Sequence, residues 1–377
     1  MKRSNDRILS THAGNLRWSN APPTDPQVNA DETQREIAEV VRRQREAGID
    51  IVSDGELGRP AFWEYFSKRL GNVMIRDLEP GETASTSGRT NDRLAFPNFY
   101  ADPRRYMEFY PAQQFVKRTI CTGPITYVAQ TAIQREIELF KAALEGVDAT
   151  AAFMCVQSPA WIQHRLWDEY YGSEEAFQYA LADAMKVEYE AIANAGMLLQ
   201  IDDPALVSNY DETIPLPSIA DYRRSAAQRV EVLNHALAGI SEEQIRYHVC
   251  WGSWHGPHTF DLPLKEIVDL MLSVRAGAYL VEAGNVRHEL DWQVWQEVKL
   301  PDGKLLGPGV VSHATNVVET PELVAYRIRQ YADLVGRENV IATTDCGMGD
   351  RAHPEIAWAK LNVLAEGARM ASRELFP

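Results

Sequence analysis

The sequence alternates short strand-like runs with longer helical stretches. The runs cover residues 7–14, 49–56, 118–126, 151–159, 197–204, 245–252, 278–284, 307–313 and 339–347. Amphipathic helical stretches include 30–47, 173–195, 219–239, 262–276, 321–335 and 354–373. Repeated β–α alternation indicates a parallel sheet, and about eight such units close economically into a barrel. We therefore predict an α/β fold in which residues 1–377 form a single (β/α)8 TIM barrel with insertions.

Nine strand-like runs are one more than a (β/α)8 barrel needs. We predict that 151–159 belongs to an insertion, because the span 127–196 carries more helix than one crossover requires. A second irregular stretch, 71–115, is rich in Gly, Pro, Thr and Asn and follows the second strand-like run. At that position it is predicted to be an excursion that lies over the mouth of the barrel.

Polar residues stand near the carboxyl ends of the strand-like runs, where a barrel of this type carries its active site. They are Glu56, Asp202, His248, Cys250, Glu282, His313 and Cys346. His248 and Cys250 stand two apart in YHVCWG, and alternation in a strand points them to the same face. If the barrel closes, all seven side chains converge at one end.

Four of these residues form a mixed nitrogen, sulfur and oxygen donor set of the kind that zinc prefers: His248, Cys250, Glu282 and Cys346. Glu282 follows the apolar run AYLV, where a buried carboxylate without a cation would be costly. The competing interpretation is that a lone cysteine at a strand end is a small buried hydrophobe, which we favour for Cys121 and Cys155.

Composition limits the partners and the compartment. The net charge of −15, without a stripe of Lys and Arg among aromatics, argues against nucleic acid. No stretch approaches the roughly 18 uninterrupted apolar residues of a membrane span. Four cysteines are too sparse for a disulfide scaffold. We predict a cytoplasmic enzyme that acts on small molecules, and self-association into a homo-oligomer stays open.

The order of motifs resembles the catalytic barrel of cobalamin-independent methionine synthase and its relatives, which include single-barrel methionine synthases and epoxyalkane:coenzyme M transferase. The matching stretches cover most of the chain: DGELGRPAFWEYF (54–66), TGPIT (122–126), AGMLLQIDDPAL (195–206), HVCWG (248–252), VEAG (281–284), GPGVVSH (307–313) and DCGMGDR (345–351). The resemblance implies a Zn²⁺ cofactor, a small-molecule thiol and an alkyl donor.

The resemblance also implies the metal ligands. His248, Cys250 and Cys346 match the zinc ligands of the family, and Glu282 matches a displaceable fourth ligand. A zinc site with an exchangeable position can bind a substrate thiol and keep it as the nucleophilic thiolate. The bound sulfur then attacks an sp³ carbon of the alkyl donor.

Substrate roles follow from the same resemblance. Glu56 and Asp202 match positions that hold the amino group of homocysteine, and His313 matches a histidine proposed to move a proton during alkyl transfer. From the residues alone, His313 serves equally well as a hydrogen-bonding cap at a strand end. Asn15 stands in the turn HAGNLRWS, which in the family lies beside the carboxylate of homocysteine.

The sequence departs from the family pattern in ways that leave alternatives open. The turn at Asn15 lacks the usual Gly-Ser-Phe/Leu-Pro arrangement, and the Trp- and His-rich segment SWHGPHTF (253–260) lengthens the connection between Cys250 and Glu282. Methyl transfer to homocysteine or a similar thiol therefore competes with thiol addition to an epoxide. Two further alternatives are a zinc-free lyase resembling uroporphyrinogen decarboxylase and a protein whose zinc is only structural.

Overall fold

The computed structural model describes residues 1–17, 29–59, 64–82, 90–102, 117–252, 256–349 and 351–377. These residues form eleven strands: β1 (Leu9–Ser10), β2 (Ile51–Ser53), β3 (Val73–Asp77), β4 (Lys117–Cys121), β5 (Ala151–Gln157), β6 (Trp167–Asp168), β7 (Leu198–Asp202), β8 (Ile245–Val249), β9 (Ala278–Glu282), β10 (Leu305–Val311) and β11 (Ile341–Thr344). Eight of them form one sheet in the order β1-β11-β10-β9-β8-β7-β5-β2. Every pairing in that sheet is parallel, which confirms the predicted α/β barrel.

Helices surround the sheet. They are α1 (Ala30–Ala47), α2 (Asn91–Ala95), α3 (Pro97–Ala101), α4 (Gln130–Leu144), α5 (Pro159–Gln163), α6 (Glu174–Asn194), α7 (Ala205–Glu212), α8 (Ile219–Ala236), α9 (Val268–Leu272), α10 (Pro321–Val335) and α11 (Pro354–Leu375). Ser173, Ser218 and Thr320 cap α6, α8 and α10 by accepting hydrogen bonds from backbone N–H groups of the first turn. Among the described helices, none is both long enough and apolar enough to cross a membrane.

The barrel is nearly closed, and Asp50 bridges the remaining seam between β1 and β2. Its backbone N–H donates to the Ser10 carbonyl at 3.0 Å. Its carboxylate accepts from the Ser10 backbone N–H at 2.9 Å and from the Ser10 hydroxyl at 3.1 Å. The Thr11 hydroxyl adds a bond to the Ile51 carbonyl at 3.0 Å. These hydrogen bonds, one backbone and three side-chain, connect β1 and β2 across the seam.

The barrel interior is apolar along the strands and becomes polar towards their carboxyl ends. Its apolar cluster comprises Leu9, Ile51, Phe153, Cys155, Ala278, Leu280, Leu305 and Ile341. Arg246 of β8 lies with its guanidinium 3.9 Å from the centre of the Phe153 ring and donates to the His12 carbonyl at 3.0 Å. Alternation along β8 then places His248 and Cys250 on the same inward face.

The prediction that 151–159 is an insertion is wrong. β5 pairs with β2 and β7 inside the barrel, whereas β4 pairs with β3 and β6 in a separate three-stranded sheet. A parallel strand of a barrel is covered on both faces and reads as a continuous apolar run. AAFMCVQ meets that requirement and its last five residues are buried, whereas KRTIC begins with two cations. The continuous apolar run therefore distinguishes β5, a strand of the barrel, from β4, a strand of the separate sheet.

Part of the predicted excursion 71–115 lies outside the described residues, namely 83–89 and 103–115. The described α2 contacts two segments that follow barrel strands. The Asn91 amide donates to the Asp211 carbonyl at 2.6 Å, beyond β7. The Asp92 carboxylate accepts from the backbone N–H groups of His258 at 2.8 Å and Thr259 at 3.1 Å, beyond β8. A cover over the barrel mouth stays a prediction that these contacts support.

Candidate active site at the carboxyl ends of the strands

Three soft or borderline donors meet where β8 and β11 end. His248 lies in β8, Cys250 follows that strand directly, and Cys346 follows β11. One ligand atom from each lies within 4.8 Å of the others, and the two sulfur atoms are 3.7 Å apart. We call His248, Cys250 and Cys346 the sulfur cluster. Strand alternation and barrel closure predicted that these three side chains lie close together. The structure brings them together.

The sulfur cluster stabilises negative charge on sulfur. The hydrogen bond to Cys250, together with His248, holds the pKa of Cys346 well below its usual value despite burial. Burial opposes a charged His248, but hydrogen bonds to Asp202 and Cys346 raise the pKa of this imidazole well above its usual value. Thiolate is the form of cysteine that binds metals, so the site is prepared for a cation.

Both ring nitrogens of His248 have partners. Nδ1 lies 2.8 Å from Asp202 Oδ1, and Nε2 lies 3.1 Å from the Asp345 carbonyl oxygen. A carboxylate on one nitrogen fixes the orientation of the ring and makes the other nitrogen a better ligand. Asp202, predicted as a substrate-binding residue, thus also orients a predicted metal ligand.

Glu282, the predicted fourth ligand, lies at the end of β9 with its carboxylate held by two donors. The Trp251 backbone N–H donates to Oε1 at 2.9 Å, and the Asn285 amide donates to Oε2 at 2.7 Å. Glu282 is not among the residues of the 4.8 Å group. Its strand β9 pairs with β8, which carries His248, and its oxygens accept hydrogen bonds from Trp251 and Asn285.

A second group joins the predicted substrate residues Glu56 and Asp202 to Cys155. One oxygen or sulfur atom from each lies within 4.8 Å of the others, and we call these three residues the carboxylate cluster. Burial, and then the charge of Asp202, raises the pKa of Glu56 to about 8 although Arg59 opposes the shift. Glu56 also has a positive φ of 59°. Residues with such strained backbone cluster at functional sites.

Asn15 lies against the loop that follows Cys346. Its carbonyl accepts from the backbone N–H groups of Met348 at 2.8 Å and Gly349 at 2.9 Å. A Cβ at Gly349 would overlap the Asn15 side-chain oxygen, so this close approach requires glycine. That oxygen is buried and has no hydrogen-bond partner among the described residues, as expected for a group that a ligand completes.

His313 follows β10 by two residues, and its side chain is buried with 2% exposure. It therefore lies at the same end of the barrel as the two clusters. Burial fits both interpretations from the sequence, a proton-transferring group and a strand-end cap. Its role stays a prediction.

Sequence reasoning missed two residues that organise the site. Cys155 was interpreted as a small buried hydrophobe because a lone cysteine at a strand end usually is one; it is buried as expected, but its sulfur also lies beside Glu56 and Asp202. Asp345 Oδ1 accepts from the backbone N–H groups of Ala283 and Gly284, both at 2.7 Å, which ties the loop after β9 to Cys346. The motif TTDCG contains Asp345, but nothing in one sequence distinguishes it from a solvated turn residue.

Sequence comparison identifies relatives along nearly the whole chain. The family model described as the catalytic domain of cobalamin-independent synthase matches residues 20–155 and 161–370. A methionine synthase of Thermococcus kodakarensis is 26% identical over 355 residues, covering 93% of this chain and 86% of that protein. A 2-hydroxypropyl-CoM lyase of Xanthobacter autotrophicus is 23% identical over 370 residues, covering 90% and 85%.

Solved structures show the same fold. A B12-independent methionine synthase from Shewanella sp. W3-18-1, in complex with selenomethionine, superposes with a TM-score of 0.71 at 20% identity and covers 98% of this chain and 99% of that one. A vitamin-B12-independent methionine synthase, described as putative, from Listeria monocytogenes gives 0.62 at 18% identity, with 97% and 98% covered. With the family model matching most of the sequence, the chain belongs to the cobalamin-independent methionine synthase family through its catalytic domain.

Proposed function

We propose that this protein is a zinc-dependent thiol S-alkyltransferase that transfers a methyl or other alkyl group to homocysteine or a similar thiol. The observation that carries the proposal is the sulfur cluster, in which two cysteines and a histidine bring their ligand atoms within 4.8 Å. Two thiolates and an imidazole are a donor set that suits Zn²⁺ far better than Mg²⁺ or Ca²⁺. His248, Cys250 and Cys346 would hold the ion, and Glu282 would be its exchangeable fourth ligand.

The bound ion supplies a Lewis acid that keeps a substrate thiol ionised near neutral pH. The protein supplies the rest of the site. Asp202 orients His248, and the half-buried carboxylate of Glu56 and the buried carboxylate of Asp202 repel each other unless a cation lies between them. The amino group of homocysteine is such a cation. Asn15 offers a buried side-chain oxygen beside the same pocket, and His313 donates a proton to the leaving group of the alkyl donor.

Metal analysis combined with thiol titration tests this function. Purified protein should carry about one zinc per chain, and L-homocysteine should release a proton on binding because the thiol binds as thiolate. A thiol without an amino group, such as propanethiol, should bind more weakly. Protein that neither retains zinc nor releases a proton with any thiol would contradict the proposal.

A second candidate is the addition of a thiol to an epoxide, favoured by the likeness to 2-hydroxypropyl-CoM lyase. That reaction uses the same activated thiolate. The sulfur attacks an epoxide carbon and the ring C–O bond breaks, so the oxygen stays in the product as an alkoxide and no separate group leaves. The thiol panel separates the two candidates. If Glu56 and Asp202 bind the substrate as carboxylates, they attract an ammonium and repel a sulfonate, so homocysteine should bind more tightly than 2-mercaptoethanesulfonate. The opposite order of affinities would favour the epoxide reaction.

A further inference from the structure

His288 lies between two carboxylates just outside the sulfur cluster. Its Nε2 is 3.1 Å from Asp261 Oδ2, and its Nδ1 is 2.9 Å from Asp291 Oδ2. Ionised carboxylates only accept hydrogen bonds, so both ring nitrogens carry a proton. Burial opposes that charge, but the hydrogen bonds to Asp261 and Asp291 raise the pKa of His288 to about 10. The side chain is therefore a buried imidazolium at neutral pH.

The imidazolium stacks on Trp251, the residue that follows Cys250. The ring centroids are 4.0 Å apart and the planes are inclined by 28°. A cation over an indole face is attracted by the ring quadrupole, more strongly when both groups are desolvated. The indole Nε1 donates to the Leu262 carbonyl at 2.8 Å. The stack and this hydrogen bond fix the Trp251 side chain from two directions.

His288 thereby reaches both donors that hold Glu282. The backbone N–H of the stacked Trp251 donates to Glu282 Oε1 at 2.9 Å. The Asn285 amide donates to Oε2 at 2.7 Å, and the Asn285 side-chain oxygen accepts from the His288 backbone N–H at 3.2 Å. The ring of His288 supports one donor and its backbone supports the other.

The same network extends outward to the segment at the barrel mouth. Asp261, whose Oδ2 contacts His288, also contacts His258: its Oδ1 is 3.0 Å from His258 Nδ1. The His258 backbone N–H donates to Asp92 of α2 at 2.8 Å. His258 therefore links Asp261, which contacts His288, to Asp92 of α2.

We propose that His288 is a positioning residue that, through Trp251, keeps the Glu282 carboxylate on its two donors and so weakens its binding at the fourth metal position. The carboxylate then binds only weakly at the fourth metal position, and a substrate thiol displaces it more easily. The inference rests on the proposed function and adds a residue to it. If the stack is lost, Glu282 becomes free to turn toward the metal and compete with the thiol.

A double-mutant cycle with His288→Gln and Glu282→Gln tests this coupling. Zinc-loaded protein is titrated with L-homocysteine by calorimetry, and zinc affinity is measured by competition with a chelator. His288→Gln should retain zinc at least as tightly as the wild type and weaken homocysteine binding by about tenfold, as loss of an outer-shell partner typically does. In the Glu282→Gln background the same substitution should have less than about a twofold effect, because the competing carboxylate is absent.

His235→Gln is the matched control, since His235 pairs with Asp183 at 2.7 Å on exposed helices and should change neither measurement. If His288→Gln does not fold, Asp291→Asn replaces it, because that carboxylate is 22% exposed and its loss is milder. An equal loss of homocysteine affinity in both backgrounds would overturn the inference while leaving the proposed function intact. Wild-type protein without zinc or without thiol binding would overturn both.

Discussion

Cys346 follows strand β11 and Cys155 lies inside strand β5, and the surroundings of these two thiols push their acidity in opposite directions. Cys346 has a second thiol and an imidazole beside it, and its pKa is held well below the usual value. Cys155 is 3% exposed, and burial followed by the charges of Asp202 and Glu56 raises its pKa well above that value. The neighbours, rather than the residue type, decide which cysteine is suited to bind a metal.

The comparison extends to the two clusters that contain these cysteines. The sulfur cluster has the composition of a zinc site, whereas in the carboxylate cluster burial and the charge of Asp202 raise the pKa of Glu56 to about 8, so that this cluster suits an ammonium group. Asp202 joins them, since it belongs to the carboxylate cluster and contacts His248 of the sulfur cluster at 2.8 Å. A thiol that also carries an amino group would span both.

The largest expected effect separates the two cysteines directly. Cys346→Ala removes a direct ligand and should cost at least the ~100-fold in zinc affinity that loss of an outer-shell partner can cost. Cys155→Ala should leave zinc bound, because its protonated thiol is no ligand. Zinc per chain, measured by mass spectrometry after purification, gives the answer. Loss of zinc from Cys155→Ala, or full retention in Cys346→Ala, would mean that the two clusters have been assigned the wrong way round.

His313 belongs to neither cluster, and its substitution shows whether a third group is needed. His313→Asn keeps polarity and removes the ionisable proton, so turnover should fall by ~10² to 10⁴-fold while zinc content and thiol-induced proton release persist. An alkyl donor with a better leaving group should partly restore the rate. Unchanged turnover would leave His313 as a strand-end cap, and zinc loss would place it at the metal.

The sulfur cluster could be predicted because its residues follow from the strand pattern and the barrel topology. His248 and Cys250 share a face by alternation, and barrel topology alone brings Cys346 to the same end. Cys155 could not be found in the same way, since recognising it required the right choice among nine candidate strands. The contacts of Asp202 with His248 and of Glu282 with Trp251 depend on side-chain direction across neighbouring strands, which spacing along one chain does not determine.

Asp202→Asn and Glu56→Gln test whether one residue serves both clusters. Each should weaken homocysteine binding by about tenfold, as loss of a charged hydrogen-bond partner does. Only Asp202→Asn should also lower zinc affinity, because Asp202 orients His248. Homocysteine calorimetry and chelator competition measure the two effects separately. Equal zinc affinity in both variants would confine Asp202 to the carboxylate cluster.

The smallest effect is a pH dependence that belongs to the carboxylate cluster alone. Burial and the charge of Asp202 raise the pKa of Glu56 to about 8, so in the empty site Glu56 is mostly protonated at pH 7 and becomes a carboxylate as the pH rises through 8. An ammonium binds the carboxylate form, so homocysteine affinity should rise by several-fold between about pH 6.5 and 8.5, before the amine itself loses its proton.

Thiol ionisation at the metal also changes with pH, but it affects every thiol. The ratio of the dissociation constants of propanethiol and homocysteine removes that shared contribution and leaves the effect of Glu56. This ratio should increase with pH in the wild type and in Cys155→Ala, and it should be flat in Glu56→Gln, which cannot ionise. A ratio that rises equally in Glu56→Gln would assign the titration to another group and would leave Asp202 as the sole ammonium partner.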